Sequence, residues 1–181
     1  DMSKGVVTVR RDGTAFQRET FDTSLKLPMR GASYDDVVYY LVNRICLLMS
    51  RSLSIDDLVI YKKLGSTYSN KSNEMYVFSN YLINVEKQNV EAGDRLGAVF
   101  VKRPGAVLKG ERMQLVELFG KKGEEYDLLY YLEKQFLTSI GNVMRVMYAD
   151  MDEEEVISYW HPTKCRISRK VVNKREIVKV L

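Results

Sequence analysis

An α+β fold, mostly helical with short strands set between the helices, is what the sequence predicts. Three observations carry that expectation. Apolar residues recur every three or four positions in three separate stretches, the spacing of one helix face. Short β-branched runs fall between those stretches. Gly, Pro, Asp and Asn cluster at the boundaries, where turns belong.

The elements follow in chain order. Gly5-Val6-Val7-Thr8-Val9 is β-branched and predicts a strand running straight into Arg10-Arg11-Asp12, with Asp12-Gly13 as a turn. Ser33 and Asp36 have capping-box spacing, so a helix is expected from about Ser33, with Val37, Leu41, Ile45 and Leu48 as its apolar stripe. Ile55-Asp56-Asp57 predicts a short turn, and Leu58-Val59-Ile60-Tyr61 a strand ending at Lys62-Lys63. The polar stretch 66–73 predicts a loop. A second helix is expected over about 74–87, with Met75, Phe78, Leu82 and Val85 on one face. Ala92-Gly93-Asp94 stops it, and Ala98-Val99-Phe100-Val101 is a second strand. Pro104-Gly105 and residues 120–123 bracket a weakly patterned connection.

The strongest periodicity lies over about 126–148, where Leu129, Leu132, Phe136, Ile140, Val143 and Met147 lay a single apolar ridge. Gly141 inside it costs roughly 1 kcal/mol relative to alanine, which predicts close backbone packing or a kink there. Three helices and no internal repeat make up this reading.

Composition narrows the class. At 181 residues, 45% hydrophobic and 29% charged, the chain suits one domain, or one domain with a strip of another. No window approaches the ~18 uninterrupted apolar residues of a membrane-spanning helix. The first residues, Asp1-Met2-Ser3-Lys4, read as the interior of a longer protein. Cys46 and Cys165 are too few for a disulfide framework, which fits a reducing intracellular compartment, nucleus or cytoplasm. His161 and Cys165 fall short of the four ligands of a structural zinc, so Trp160-His161-Pro162 reads as a turn and no metal site is assigned.

Net charge is only +4, but it is unevenly spread. Lys4, Arg10 and Arg11 stand at one end, and Lys164, Arg166, Arg169, Lys170, Lys174, Arg175 and Lys179 at the other. The acidic run Asp150, Asp152, Glu153, Glu154, Glu155 separates that tail from the rest. Such clusters suit a long anionic partner, and equally a set of solvated faces.

Four landmarks in fixed order resemble family B DNA polymerases. Lys4-Gly5 through Val9-Arg10-Arg11-Asp12 is similar to the family's last palm strand, with its KG…VRRD signature. Leu58-Val59-Ile60 with Lys62 and Leu64 is similar to its thumb strand. Gly93-Asp94-Arg95, leading into an apolar strand, resembles the GDR turn. Asp127, Tyr130, Tyr131, Leu132 and Gln135 resemble the D-x-x-YYL-x-x-Q opening of the long thumb helix. The resemblance covers residues 4 to 135. It departs at 73–75, where a histidine is commonly seen, at Ser139, where many members carry proline, and after Tyr148. Those departures point to a divergent lineage such as a large DNA virus or phage.

The resemblance implies a division into the end of a palm domain (1–22), a thumb (23–150) and an acidic/basic carboxy-terminal tail (151–181). It implies template-directed DNA synthesis by two Mg²⁺ ions held on palm aspartates. Tyr148-Ala149-Asp150-Met151-Asp152 imitates the family's YGDTD motif but follows the thumb helix rather than preceding the palm strand. It is therefore read as solvated acids, no catalytic carboxylate is assigned, and Mg²⁺ is expected on a palm upstream. What remains is grip on a primer–template duplex through phosphates and the minor groove. Lys4, Arg10 and Arg11 would flank the primer strand, and Lys62, Lys63 and Tyr68 would lie where the thumb closes. Asp94 and Arg95 are expected to pair and fix their turn. Tyr130 and Tyr131 are expected in the core, one hydroxyl reaching a polar partner.

The partners implied are duplex DNA and the remaining polymerase (palm, exonuclease and amino-terminal domains), with a processivity factor or DNA at the tail. Two other classes compete. One is a protein-interaction module that recruits a processivity partner through its basic tail. The other is a single-strand-binding domain, for which exposed stacking aromatics on a sheet are not evident.

Overall fold

A computed structural model describes residues 13–147 of the chain. The strand expected at 5–9, the tail from 151, and with them Lys4, Arg10, Arg11, Asp150, Asp152, His161 and Cys165, lie outside the described residues. The fold is α+β, with a small three-stranded sheet among helices. The described residues fall into two compact units: one drawn from Phe16–Leu53 and residues 128–147, the other from Ser54–Asp127 with residues 13–15.

The first unit is helical. Helix α1 (Ala15–Met29) is one that the periodicity did not predict. Its buried face is Phe16, Gln17, Thr20, Phe21 and Ser24, so only two of five inward residues are apolar. A hydrophobic stripe is not legible in such a set. Two of the polar members bond within the helix: Thr20 Oγ1 donates to Phe16 O at 2.7 Å, and Ser24 Oγ to Phe21 O at 2.9 Å. Gln17 Nε2 donates to Gln135 O and to Ser139 Oγ. The 22/23 division drawn from the resemblance falls inside this continuous helix.

Helix α2 (Tyr34–Met49) begins as expected. Ser33 Oγ accepts from Asp36 N at 3.2 Å, and Asp36 Oδ2 accepts from Ser33 N at 2.9 Å. The Ser33 hydroxyl, donating to Asp36 Oδ2 at 2.7 Å, and the Ser33 N–H hold the Asp36 carboxyl below its ordinary range. Val37, Leu41, Ile45 and Leu48 are all buried.

The long helix starts at Leu128, later than the pattern suggested. Tyr126 is bridged to Val101, and Asp127 N donates to Phe100 O at 2.8 Å, so both belong to strand-like pairing. Helix α4 (Leu128–Tyr130) runs into a π-helical stretch, Tyr131–Leu137, and on into α5 (Thr138–Met147). The irregularity thus sits over residues 131–137 rather than at Gly141. Widening each turn brings residues five apart onto one face, and the buried set contains two such pairs, Tyr131 with Phe136 and Leu132 with Leu137. Phe136 stacks on Phe16 (5.7 Å between centroids) and meets Phe21 at 6.2 Å. Leu132, Phe136 and Ile140 are buried as expected, but Leu129 is 45% exposed and the buried partner is Tyr130. The side chains of Val143 and Met147 lie outside the described set.

In the second unit, strands β1 (Ile60–Lys63), β2 (Arg95–Phe100) and β3 (Met113–Leu115) pair antiparallel in the order β1-β2-β3. Strand β1 lies two residues later than predicted. Residues Ile55–Leu58 are spent in a 3-10 turn that Val59 N closes onto Asp56 O, leaving the two lysines to pair with β2. Strand β2 is buried from Leu96 to Phe100. One face of the sheet carries Val59, Val99 and Val101 against Ile55, Val116 and Phe119. On the opposite register Ile60, Ala98, Phe100 and Met113 are also buried. Strand β3 has no legible sequence pattern, being three residues long with Gln114 at its centre. That side chain is fully buried, and its Nε2 donates to Glu124 at 3.0 Å and Glu86 at 3.3 Å.

Helix α3 (Glu74–Asn84) is capped by Asn73, whose Oδ1 accepts from Met75 N at 2.9 Å. Met75, Phe78 and Leu82 are buried, but Val85 is 57% exposed. The helix ends one residue before it, and Lys87 then takes a left-handed turn at φ 56°.

Candidate nucleic-acid interface

The residues assigned to DNA from sequence and described here converge on the free edge of β1 and the loop that follows it. The strand alternates, as a two-residue repeat requires. Tyr61 and Lys63 are exposed, while Lys62 turns to the other side and is partly buried. Lys62 is ion-paired with Glu74 at the start of α3, and Lys109 reaches the same carboxylate at 2.5 Å. Burial pushes the Glu74 carboxyl up, but the hydrogen bonds and charges of Lys109 and Lys62 outweigh it and leave it below the ordinary value. Lys62 therefore stands as a strut between β1 and α3, its charge shared with a carboxylate. Nothing in the sequence pointed to Glu74 as its partner, since the two are brought together by the fold of the 64–73 segment.

Tyr68 folds back on its own loop. Its hydroxyl accepts from Gly65 N at 2.6 Å, and its ring packs 6.0 Å from that of Tyr76. A Cβ at Gly65 would stand 3.1 Å from the Tyr68 ring, so glycine is what lets the tyrosine lie this close. Lys71 covers the Tyr76 ring at 4.4 Å. A shallow cleft of about 430 Å³ opens between this loop and the strand edge, with Tyr61, Lys63, Tyr68 and Asn73 among its walls. Lys63 is the cation of the pair left facing solvent.

The motif residues sit at joints of the fold. Gly93 takes φ +102°, a conformation glycine favours, and its N donates to Leu64 O at 2.9 Å. Leu64 N donates in turn to Asp94 O at 2.8 Å, which ties the end of β1 to the turn. The expected Asp94–Arg95 pair is not what holds that turn. Asp94 Oδ2 accepts from Glu91 N at 2.8 Å, and Arg95 is exposed, with no ion pair among the described residues. A side-chain bond to the backbone three residues back closes the turn without the arginine. Asp127 is buried and ion-paired with Arg112. Tyr130 and Tyr131 are buried as expected, edge to face at 5.8 Å, and Gln135 Nε2 donates to the Tyr130 hydroxyl at 3.3 Å.

Among the described residues no three His, Cys, Asp or Glu side chains converge on one point. No helix among the described residues is long and apolar enough to cross a membrane.

The family model for DNA polymerase family B matches residues 1–147, more than three quarters of the chain. The chain belongs to DNA polymerase family B. Among solved structures, the family B DNA polymerase from the hyperthermophilic archaeon Pyrobaculum calidifontis is similar, at 25% identity and a TM-score of 0.59. The match covers 71% of this chain and 17% of that polymerase, so the family B chain spans a small part of that relative's length. A comparison with curated proteins returns no match.

Proposed function

We propose that this chain is the thumb of a family B DNA polymerase, preceded by the last strand of its palm, and that it holds primer–template duplex during template-directed synthesis. The observation that carries the reading is the exposed Lys63 on the free edge of β1, beside the Tyr68 loop, in a chain whose family is that of polymerases. A polymerase must grip every sequence alike. Contacts to phosphates and the minor groove provide that, since they carry affinity without reading bases.

In this reading Lys4, Arg10 and Arg11 flank the primer strand, Lys63 reaches a phosphate, and Lys62 and Tyr68 hold the strand edge and its loop in shape. The nucleotidyltransfer itself, with its Mg²⁺, belongs to palm residues elsewhere in the polymerase, and the duplex and that palm are the partners. The departures at 73–75 and Ser139 support a divergent lineage, such as that of a large DNA virus or phage. The tail from 151 is the expected site for a processivity partner.

Fluorescence anisotropy of a labelled primer–template duplex, titrated with the 181-residue chain from low to moderate salt, tests the reading. The expected result is binding whose logarithm falls linearly with the logarithm of salt. Affinity that is flat across that range refutes phosphate grip and favours the protein-interaction module. Primer extension by this chain alone would refute the assignment of catalysis to other residues.

A further inference from the structure

Lys63 and Arg95 stand directly opposite one another in the β1–β2 ladder. Leu64 N bonds to Asp94 O in the same register, so Lys62 and Leu96 form a hydrogen-bonded pair, and Lys63 and Arg95 a non-hydrogen-bonded one. Residues in that second kind of pair are the closer, with Cα atoms about 4.5 Å apart. Both side chains are exposed. Like charges placed face to face on a sheet destabilise it. Among the described residues neither cation has a carboxylate within ion-pair distance, and Asp94, next in sequence to Arg95, is turned onto Glu91 N.

Tyr61 lies two residues along the same face, paired with Gly97 and 51% exposed. A Cβ at position 97 would come within 3.0 Å of the Tyr61 ring edge, so glycine there leaves room for the ring to cross onto β2. Two cations and an aromatic side chain thus share one face of the β1–β2 ladder over about two residues of strand.

We propose that Lys63 and Arg95 clamp a single backbone phosphate of the bound duplex, with Tyr61 lying against the adjoining sugar. The inference rests on the thumb reading and adds to it a defined phosphate subsite, with Arg95 and Tyr61 as contact residues. An anion between the two side chains turns a repulsive pair into an attractive triple. The site is open and the two stems are long, which suits a phosphate carried on a polymer.

The test uses the 181-residue chain with K63Q, R95Q, the double variant and R95K. Binding of labelled duplex is followed by anisotropy over a salt series, and melting temperature is measured without DNA. Each single variant should lose roughly tenfold in affinity at low salt, the scale of one charge-assisted hydrogen bond. Each should also reduce the salt slope by about 1. The double variant should lose less than the sum, because both cations act on one phosphate. R95K should restore the slope. Without DNA the single variants should melt at or above the wild-type temperature, since the repulsion is relieved. If the wild-type chain binds with its salt slope and K63Q and R95Q match it, the clamp is overturned and the thumb reading stands. If the wild-type chain does not bind duplex, both fall. If inorganic phosphate competes the duplex off as effectively per phosphate as unlabelled duplex does, the site takes free anions and the nucleic-acid assignment is overturned.

Discussion

Replacing Gly110 by alanine should unseat the scaffold beneath the β1 edge. Gly110 lies in the 3-10 turn Lys109–Arg112, buried against the first turns of α3. A methyl group there would stand 2.3 Å from the Glu74 carbonyl oxygen, 2.7 Å from Val77 Cβ and 2.9 Å from Phe78 N. Favourable contacts begin near 3.5 Å, so the turn and the helix must part by about 1 Å. Two of the three atoms are backbone, and no rotamer change moves them. Gly110 is not among the positive-φ glycines, so alanine by itself would stabilise the chain by about 0.4–1 kcal/mol through its unfolded state.

The overlap works against that gain and exceeds it. Overpacking costs about 1–3 kcal/mol, and a clash between two rigid backbones belongs at the upper end. At ~2–4 °C per kcal/mol, the melting temperature of G110A should fall by roughly 4–10 °C. Thermal denaturation followed by circular dichroism measures this. G105A is the control, since Gly105 has φ +83° but open space around its Cβ. It should lose only the left-handed penalty of about 1 kcal/mol. A G110A chain that melts within 1 °C of wild type, or above it, would refute the steric argument.

Two further outcomes follow from charge. Glu86 accepts from Lys122 Nζ at 2.7 Å and from the Tyr81 hydroxyl at 2.6 Å, which holds its carboxyl at about 2, against an ordinary 4.5. Because the folded value is depressed, its stabilisation is complete above about pH 4.5 and is lost as pH falls toward 2. E86Q should therefore be less stable than wild type at pH 7 by about 1 kcal/mol, a figure kept small because Lys122 is 58% exposed. Urea denaturation at pH 7, 4 and 2.5 should show that difference shrinking on acidification. E74Q removes the carboxylate shared by Lys62 and Lys109, so melting temperature should fall while the salt slope of duplex binding stays unchanged, because Lys62 points to the opposite side of β1 from Lys63. A slope steeper by about 1 or more in the anisotropy titration would refute the strut role of Lys62.

Much of the helical unit was legible because its signals are local. The Ser33–Asp36 box and the 37/41/45/48 stripe need only a 3.6-residue period and a cap, and both are realised. Helix α1 was illegible for the converse reason: its inward Gln17, Thr20 and Ser24 donate hydrogen bonds that no hydropathy pattern encodes. The π stretch has a faint signature in the five-residue spacing of 131/136 and 132/137, but it broke the ridge that placed Leu129 inside.

At the candidate interface the sequence by itself determined the family, through short motifs in fixed order, and the alternation that exposes Tyr61 and Lys63. Only the tertiary structure decided which cation is spent on Glu74 and which arginine stands opposite Lys63. The physical reason is register. Lys63 and Arg95 are separated by thirty-one intervening residues, and their meeting depends on the Leu64–Asp94 bond, the Gly93 turn and the path of α3 between them. A charge can be read from one residue, but its availability to a phosphate depends on neighbours that only folding brings within a few ångströms.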